Sequence, residues 1–183
     1  MQFKNFAFFA ILTTLLFNGC GDSKVSEDST QKQTKTTTDR KVFLTTTQNT
    51  VLSTNKTKET FIIKELANKA ILVNFFATWC PPCKAEIPHL NNLRKKYGEN
   101  FEIVGVLLEQ NKNNDELQTF ISDFKIEYPV TNSDQNYELA KVLGGVQSIP
   151  TMFMIDKSGK IIQKYVGVVP EEMLEMDIKK AIK

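Results

Sequence analysis

The chain has 183 residues, of which 41% are hydrophobic and 24% are charged, and its 23 basic and 21 acidic side chains leave a net charge of +2. This length and composition are typical of one globular domain with accessory segments. The nearly balanced charge lacks the basic footprint of a nucleic-acid-binding protein, so we expect no nucleic-acid partner.

The N-terminal segment is typical of a secretory leader. Lys4 precedes an apolar stretch, Phe6 to Phe17, which is too short to span a bilayer comfortably. We therefore predict that residues 1–19 are a signal peptide and that the rest of the chain lies on the extracytoplasmic side of a membrane, in the cell envelope or periplasm.

The leader ends in Asn18-Gly19-Cys20, which resembles the lipobox of bacterial lipoproteins, although Phe17 stands where leucine is usual. The resemblance implies that Cys20 becomes a lipidated N-terminus and attaches the protein to the membrane. The alternative is a plain signal peptide that leaves Cys20 as a free thiol, which is unusual in an oxidising compartment.

The next segment, residues 20–41, is rich in Ser, Thr, Lys, Gln and Asp and has very few apolar residues. Such a composition buries too little surface to order the chain, so we expect a disordered tether. The globular domain is then expected over residues 42–183, with its core beginning near residue 60.

Two short apolar groups, Val42 to Leu44 and Val51-Leu52, flank the polar Gln48-Asn49 and predict a hairpin at the edge of the domain. Thr60 to Leu66 is predicted to be another strand. Asn68-Lys69 then forms a turn.

The most informative stretch is Ile71 to Pro88, which reads ILVNFFATWCPPCKAEIP. The apolar run at its start predicts a strand that is covered on both faces. Pro81 and Pro82 suit the first turn of a helix, where a missing N–H costs nothing. Cys80 is therefore expected at or near the N-cap of this helix.

A cysteine at a helix N-terminus is a nucleophile, because the helix end favours thiolate over thiol. The two-residue spacer lets the sulfurs of Cys80 and Cys83 meet in a disulfide, so that Cys80 attacks a partner and Cys83 resolves the mixed disulfide. The alternatives are a zinc half-site and a pair of inert core thiols. Zinc normally requires four ligands, and the other Cys or His residues are only Cys20 and His89. We predict no metal and no cofactor.

The remaining pattern alternates strands and helices. Apolar spacing predicts that Leu117, Phe120, Ile121 and Phe124 share one helix face, and that the last helix packs Met173, Leu174, Ile178 and Ala181 inward. The predicted elements are strands over residues 101–108, 128–130, 152–155 and 161–166, and helices over residues 115–125, 136–143 and 170–182.

This order resembles the thioredoxin fold, an α/β fold in which helices flank a central mixed β-sheet, here with an N-terminal strand or hairpin extension. Val73-Asn74-Phe75 and Ala77 to Cys83 are similar to the VNFWATWCPPC pattern of the TlpA/ResA-like branch, with Phe76 in place of the usual Trp. That branch consists of membrane-tethered thiol-disulfide oxidoreductases.

The resemblance assigns a role to Glu86, because the branch has a glutamate three residues after the second cysteine that approaches the active site. Cytoplasmic thioredoxins instead have a buried aspartate where this chain has Asn74. An asparagine cannot titrate, so Glu86 is expected to handle protons during catalysis. Asn74 is expected to be buried and satisfied by the backbone.

The resemblance also implies a substrate groove. It predicts a cis peptide bond between Ile149 and Pro150 and a glycine, Gly167, that keeps the groove open. Trp79 is expected to shield the disulfide beside the groove, or else to be half-buried by ordinary packing. Pro81 and Pro82 complete the groove on the cysteine side.

The implied function is reduction of disulfides in exported proteins such as apocytochrome c during cytochrome c maturation, with a membrane thiol electron donor that resets the dithiol. One alternative is a copper-binding lipoprotein that delivers Cu(I), which two thiolates suit. Another is a disulfide oxidant of the DsbA type, since small changes around the dithiol decide the redox direction.

Overall fold

The computed structural model describes residues 39–183. The predicted signal peptide, the lipidation site at Cys20 and all but the end of the predicted tether lie outside the described residues. The first strand already begins at Arg40, two residues before the expected start of the domain.

The described chain forms eight strands, four α-helices and one 3-10 helix. In chain order these are β1 (Arg40–Thr45), β2 (Val51–Lys56), β3 (Phe61–Ile63), the 3-10 helix (Lys64–Leu66), β4 (Ala70–Phe76), α1 (Pro81–Tyr97), β5 (Phe101–Leu107), α2 (Asn114–Asp123), β6 (Val130–Thr131), α3 (Asn136–Val142), β7 (Thr151–Ile155), β8 (Ile161–Val166) and α4 (Glu171–Ala181).

The central sheet has five strands in the order β6-β5-β4-β7-β8. Strands β4, β5 and β6 are parallel, whereas β7 and β8 pair antiparallel. A βαβ unit is thus followed by a hairpin and a final helix, and the predicted thioredoxin-like mixed sheet is confirmed.

The N-terminal extension is a second sheet of three antiparallel strands in the order β1-β2-β3. The hairpin predicted from residues 42–53 is therefore present. The prediction of a strand over Thr60 to Leu66 is wrong in its second half, because Lys64–Leu66 is a 3-10 helix. There the Glu65 carboxylate accepts hydrogen bonds from the backbone and hydroxyl of Ser53, which draws this segment against β2.

Two layers of apolar side chains cover the central sheet, and β4 contributes to both because its side chains alternate between the faces. Leu72 and Phe76 pack with residues of α1, α2 and α4, on what we call the helix face. Ile71, Val73 and Phe75 pack with the N-terminal sheet and α3, on the support face. All seven residues of β4 are buried, as the sequence predicted.

Two predicted inward side chains are exposed, and a third, Ile121, is only half-buried. Met173 is 45% exposed, because the buried face of α4 is narrow and consists of Leu174, Ile178 and Ala181. Phe124 follows the last residue of α2 and is 37% exposed. Its ring packs on Phe120, with centroids 4.6 Å apart, and Lys84 lies over it.

The sheet and helices define two opposite ends of the domain. Strand β4 and the start of α1 bring Cys80 to one end, which we call the dithiol end. Strands β4 and β5 begin at the other end, where α1 and α4 finish. Within residues 39–183, no helix combines the length and apolar character that crossing a membrane requires.

Candidate active site

The segment between β4 and α1 places Cys80 as the N-cap of α1. Its backbone is extended, with φ −87° and ψ 107°, and its sulfur accepts a hydrogen bond of 3.2 Å from the Cys83 N–H. Pro81 and Pro82 occupy the first helical positions, where no intrahelical N–H bond is lost. The predicted N-cap position is confirmed.

Cys80 and Cys83 form a disulfide with an S–S distance of 2.03 Å and a Cα–Cα distance of 5.3 Å. Both residues are 2% exposed and belong to the apolar cluster of the helix face. The redox pair is therefore almost fully covered by neighbouring side chains.

Glu86 lies in α1, three residues after Cys83, and is 1% exposed. Its Oε1 accepts a hydrogen bond of 2.8 Å from the Val169 N–H, while Oε2 has no hydrogen-bond partner among the described residues. Burial raises the pKa of this carboxyl to about 7, against the opposing effects of the Val169 hydrogen bond and His89. Glu86 can therefore exchange a proton near neutral pH.

Asn74 is 2% exposed on the helix face of β4, but the backbone does not satisfy it. Among the residues that the structure describes, its Oδ1 has no hydrogen-bond partner, so the expectation of backbone satisfaction is wrong for this atom. The side chain instead interacts with the hydroxyl of Tyr128, whose pKa is raised chiefly by burial. The amide thus belongs to a buried polar group beneath α1.

Tyr128 reaches this position because Gly105 leaves room for its ring. Gly105 lies opposite Asn74 in the β4–β5 register. A Cβ at Gly105 would lie 3.2 Å from Tyr128 Cε2 and 3.3 Å from both Phe76 Cε1 and Val130 Cγ2. The glycine therefore permits close packing of an aromatic ring against the sheet.

The groove side of the site contains the predicted cis peptide bond between Ile149 and Pro150. Gly167 has φ 86° and donates its N–H to the Pro150 carbonyl over 2.8 Å. Apart from its neighbours in the chain, no atom of residues 39–183 lies within 4 Å of the position that a Gly167 Cβ would occupy. The space beside these residues is open.

Exposed side chains surround the disulfide. Trp79 is 66% exposed, and Val166 and Val168 near the groove are 64% and 56% exposed. Pro81 and Pro82 are exposed as well. Trp79 is thus neither buried nor half-buried, and an apolar rim is available for contact with another protein.

Three groups at the site were not predicted. The Thr78 N–H donates to Glu109 Oε1, which steadies the turn before Cys80. Glu109 follows the end of β5. The carboxyl ends of adjacent parallel strands lie at the same edge of a sheet, so the sequence could have indicated that Glu109 lies near Cys80. Val169 and Tyr128 offered none, because each acts through a contact that is distant in sequence.

No group of three His, Cys, Asp or Glu side chains within residues 39–183 is arranged to hold a metal ion. His89 contacts Glu171 instead, with 2.7 Å between Nδ1 and Oε2, and so links α1 to α4. The role of His89 in the described residues is thus a contact between two helices at the surface.

A family model described as "Redoxin" matches residues 22–182. The thiol-disulfide oxidoreductase ResA of Bacillus thuringiensis subsp. konkukian is 36% identical over 119 residues, which are 64% of this chain and 66% of that protein. The alignment thus spans about two thirds of the relative's length. The thioredoxin-like protein YneN of Bacillus subtilis is 27% identical over 123 residues, which are 63% of this chain and 67% of YneN.

Solved structures show the same architecture. A thiol:disulfide interchange protein of the thioredoxin family from Chlorobium tepidum TLS is 29% identical, has a TM-score of 0.63 and covers 78% of this chain and 94% of its own. StoA from Bacillus subtilis is 23% identical with a TM-score of 0.59, covers 75% of this chain and 96% of its own, and shows the shared fold. Together with the family match, these similarities establish that the chain belongs to the redoxin family and has a thioredoxin-like fold.

Proposed function

We propose that this protein is an extracytoplasmic thiol-disulfide oxidoreductase that reduces disulfides in exported proteins, with apocytochrome c as a client. The observation that carries the proposal is the Cys80–Cys83 disulfide at the start of α1, next to the buried, titratable carboxyl of Glu86. The names of the ResA relatives, thiol-disulfide oxidoreductase, support the same reaction class.

In the reduced protein, the Cys80 thiolate attacks one sulfur of a client disulfide. A mixed disulfide forms, and the other client sulfur leaves as a thiolate that takes up a proton. Cys83 then attacks Cys80 and releases the second client thiol. The protein ends as the Cys80–Cys83 disulfide, so two electrons have passed to the client. A membrane thiol donor returns two electrons and restores the dithiol.

Glu86 serves the second half of this cycle. Cys83 must lose its proton before it can attack, and a carboxylate one helical turn away, with a pKa near 7, is suited to accept it. The unpartnered Oε2 is the available acceptor atom. Asn74 cannot titrate, so it leaves this task to Glu86.

The client binds in the groove beside Ile149, Pro150 and Gly167. The open space at Gly167 admits an extended backbone, and Trp79 provides an apolar contact beside the disulfide. The predicted leader and lipidation at Cys20 would hold the domain at the outer surface of a membrane, where exported clients pass.

A trapping experiment tests the nucleophile and the client together. With the Cys83→Ser variant expressed in cells, we expect clients to remain covalently attached to Cys80 and to be released by dithiothreitol. The matched control is a variant with both Cys80→Ser and Cys83→Ser, which should capture nothing. Absence of dithiothreitol-sensitive adducts on the Cys83→Ser variant would contradict the assignment of Cys80.

The redox direction needs a separate measurement. Equilibration of the purified protein with glutathione should give a potential at the reducing end of the range of thioredoxin relatives, near −270 mV rather than near about −120 mV. A potential near the oxidising value would replace the reductase proposal with a DsbA-type oxidant.

A further inference from the structure

Charge is distributed unevenly along the axis of the domain, although its total is nearly balanced. The end opposite the disulfide collects basic side chains from several segments. There Lys69 lies just before β4 and donates from Nζ to the Gly98 carbonyl over 2.6 Å, immediately after the last residue of α1. Lys95, in the last turn of α1, is exposed at the same end.

The turn between β7 and β8 adds further lysines to this end. The Lys157 N–H donates to the Ala181 carbonyl over 3.3 Å, which joins the turn to the end of α4. Lys160 closes the same turn, and Lys183 follows α4. A cleft of 510 Å³ lies between the end of α1 and Ile182, which follows α4, and its lining includes Lys69 and Lys95 as well as Glu99 and Glu102.

The polypeptide also enters the domain here. Arg40 pairs with Lys56 in β2, and Lys56 pairs with Phe61 in β3. The Phe61 N–H in turn donates to Gly159 in the β7–β8 turn over 2.6 Å. The first residue of β1 therefore lies at the lysine-rich end. We call the set Arg40, Lys69, Lys95, Lys157, Lys160 and Lys183 the basic pole.

The charges of the basic pole are available to a partner. None of its six side chains forms an ion pair within residues 39–183, whereas Lys96, Lys179 and Lys180 are paired with carboxylates of α4. Of the acidic groups nearby, Asp156 is engaged by its own turn, where Oδ1 accepts bonds from Ser158 and Lys160. Asp39, Glu59 and Glu99 reduce the positive charge of this end without cancelling it.

The dithiol end differs in charge. Four helices begin there, and three of them carry carboxylates in the first turn: Asp115 and Glu116 in α2, Glu138 in α3, and Glu171 and Glu172 in α4. Such first-turn acids complement the helix dipole. Lysines at this end are paired with two of these acids, Lys112 with Glu116 and Lys141 with Glu138. An anionic surface would therefore find more unpaired positive charge at the basic pole than at the dithiol end.

We propose that the basic pole docks on the anionic headgroups of a phospholipid membrane, so that the disulfide and its groove face away from the lipid. Clusters of Lys and Arg next to a membrane attachment bind anionic lipids in this way. Arg40 is where the 39 preceding residues join the domain, and those residues include the predicted lipid attachment at Cys20. The segment that carries the predicted anchor therefore joins the domain at the basic pole. The proposal does not depend on the redox activity.

Vesicle binding tests the surface. Every described element lies between Arg40 and Ala181, so the chain from Gly21 onward retains the whole described fold without the leader. We expect this chain to sediment with vesicles of phosphatidylglycerol and phosphatidylcholine but not with phosphatidylcholine alone. Binding should weaken as salt is added, because it is electrostatic.

Charge reversal locates the contact. Lys95→Glu combined with Lys157→Glu should weaken binding to the phosphatidylglycerol vesicles by roughly 10-fold or more. The matched control, Lys125→Glu with Lys141→Glu, changes the net charge equally outside the basic pole and should have a much smaller effect. Equal losses in the two variants, or equal binding to both vesicle compositions, would overturn the proposal. So would binding to polyglutamate without binding to the anionic vesicles, since it would indicate an acidic protein partner.

Orientation is measured with the single tryptophan of the chain, Trp79, which lies at the dithiol end. Brominated lipids in the anionic vesicles should leave its fluorescence unchanged. In a variant with Trp79→Phe and Tyr97→Trp the indole lies at the basic pole, and the same lipids should quench it. Quenching of Trp79 without quenching at position 97 would reverse the orientation and overturn the proposal.

Discussion

The two faces of the central sheet are equally buried but chemically different. The support face is mainly apolar: Phe61, Phe75 and Leu139 are completely buried, and the buried Thr54 hydroxyl donates to the Val42 carbonyl. The helix face, under α1, also contains Asn74, Glu86 and Tyr128, and one oxygen each of Asn74 and Glu86 has no hydrogen-bond partner within residues 39–183. A buried polar atom without a partner costs about 1–3 kcal/mol. The helix face therefore gives up stability to keep reactive groups near the disulfide, and the support face supplies packing.

The largest effect on activity is expected at the nucleophile, on the helix face. Cys80→Ser removes the thiolate, and a hydroxyl is a far weaker nucleophile at neutral pH, so we expect insulin reduction to fall by more than about 10³-fold. The far-UV circular dichroism should remain that of the reduced wild type. Residual activity within tenfold of the wild type would show that another group attacks the client.

On the support face a substitution should affect stability alone. Phe61 is completely buried, at 0% relative exposure, and lies at the end of the domain away from the disulfide. Phe61→Ala should lower the free energy of unfolding in urea by about 3–5 kcal/mol because it leaves a cavity. The redox potential should stay within experimental error of the wild type. A shift in potential would show that the support face also influences the disulfide.

The Glu86→Gln variant should show how burial of the Glu86 carboxyl makes the free energy of unfolding depend on pH. The folded pKa, about 7, lies above the ordinary 4.5, so the folded state holds more protons than the unfolded state between these values. The stability of the wild type should therefore fall as the pH rises through this window, by about 3 kcal/mol, and level off above it. The Gln variant should lack this fall. Urea unfolding of both oxidised proteins at about pH 5 and about pH 8 measures the difference, and parallel profiles would contradict it.

Gly105→Ala should have the smallest effect. The new methyl group would lie 3.2 Å from the Tyr128 ring and 3.3 Å from Phe76 and Val130, so these side chains must shift by a few tenths of an ångström. We expect a loss of about 1 kcal/mol in the free energy of unfolding, again from urea titration. A stabilised variant would show that the ring has more room than the contact distances indicate.

Local patterns in the sequence were sufficient for the strand that leads into Cys80, the helix that follows and the order of the other elements. A buried apolar run and prolines after a cysteine each act within a few residues, whereas the cis bond at Pro150 was expected from the resemblance to the thioredoxin family. Their structural consequences can be predicted because few alternatives satisfy the same local constraints.

The environment of Glu86 could not be predicted in this way. Its hydrogen-bond donor, Val169, is 83 residues away, and the route from Asn74 to Tyr128 depends on a glycine in the neighbouring strand. Helical periodicity likewise placed Met173 on the buried face, although the three-dimensional packing of α4 against the sheet leaves it exposed. Tertiary contacts decide such positions, and they leave no mark on local spacing.

The burial of the disulfide also affects which molecules can react with it. With both cysteines 2% exposed, a small thiol or peroxide that diffuses in from solvent meets almost no sulfur surface. A protein that lays an extended segment along the groove gains contact area with Trp79 and the valines around it before any sulfur exchange begins. We therefore expect proteins that fit the groove to exchange electrons with the dithiol faster than small thiols or peroxides do, although small thiols can still equilibrate with it slowly.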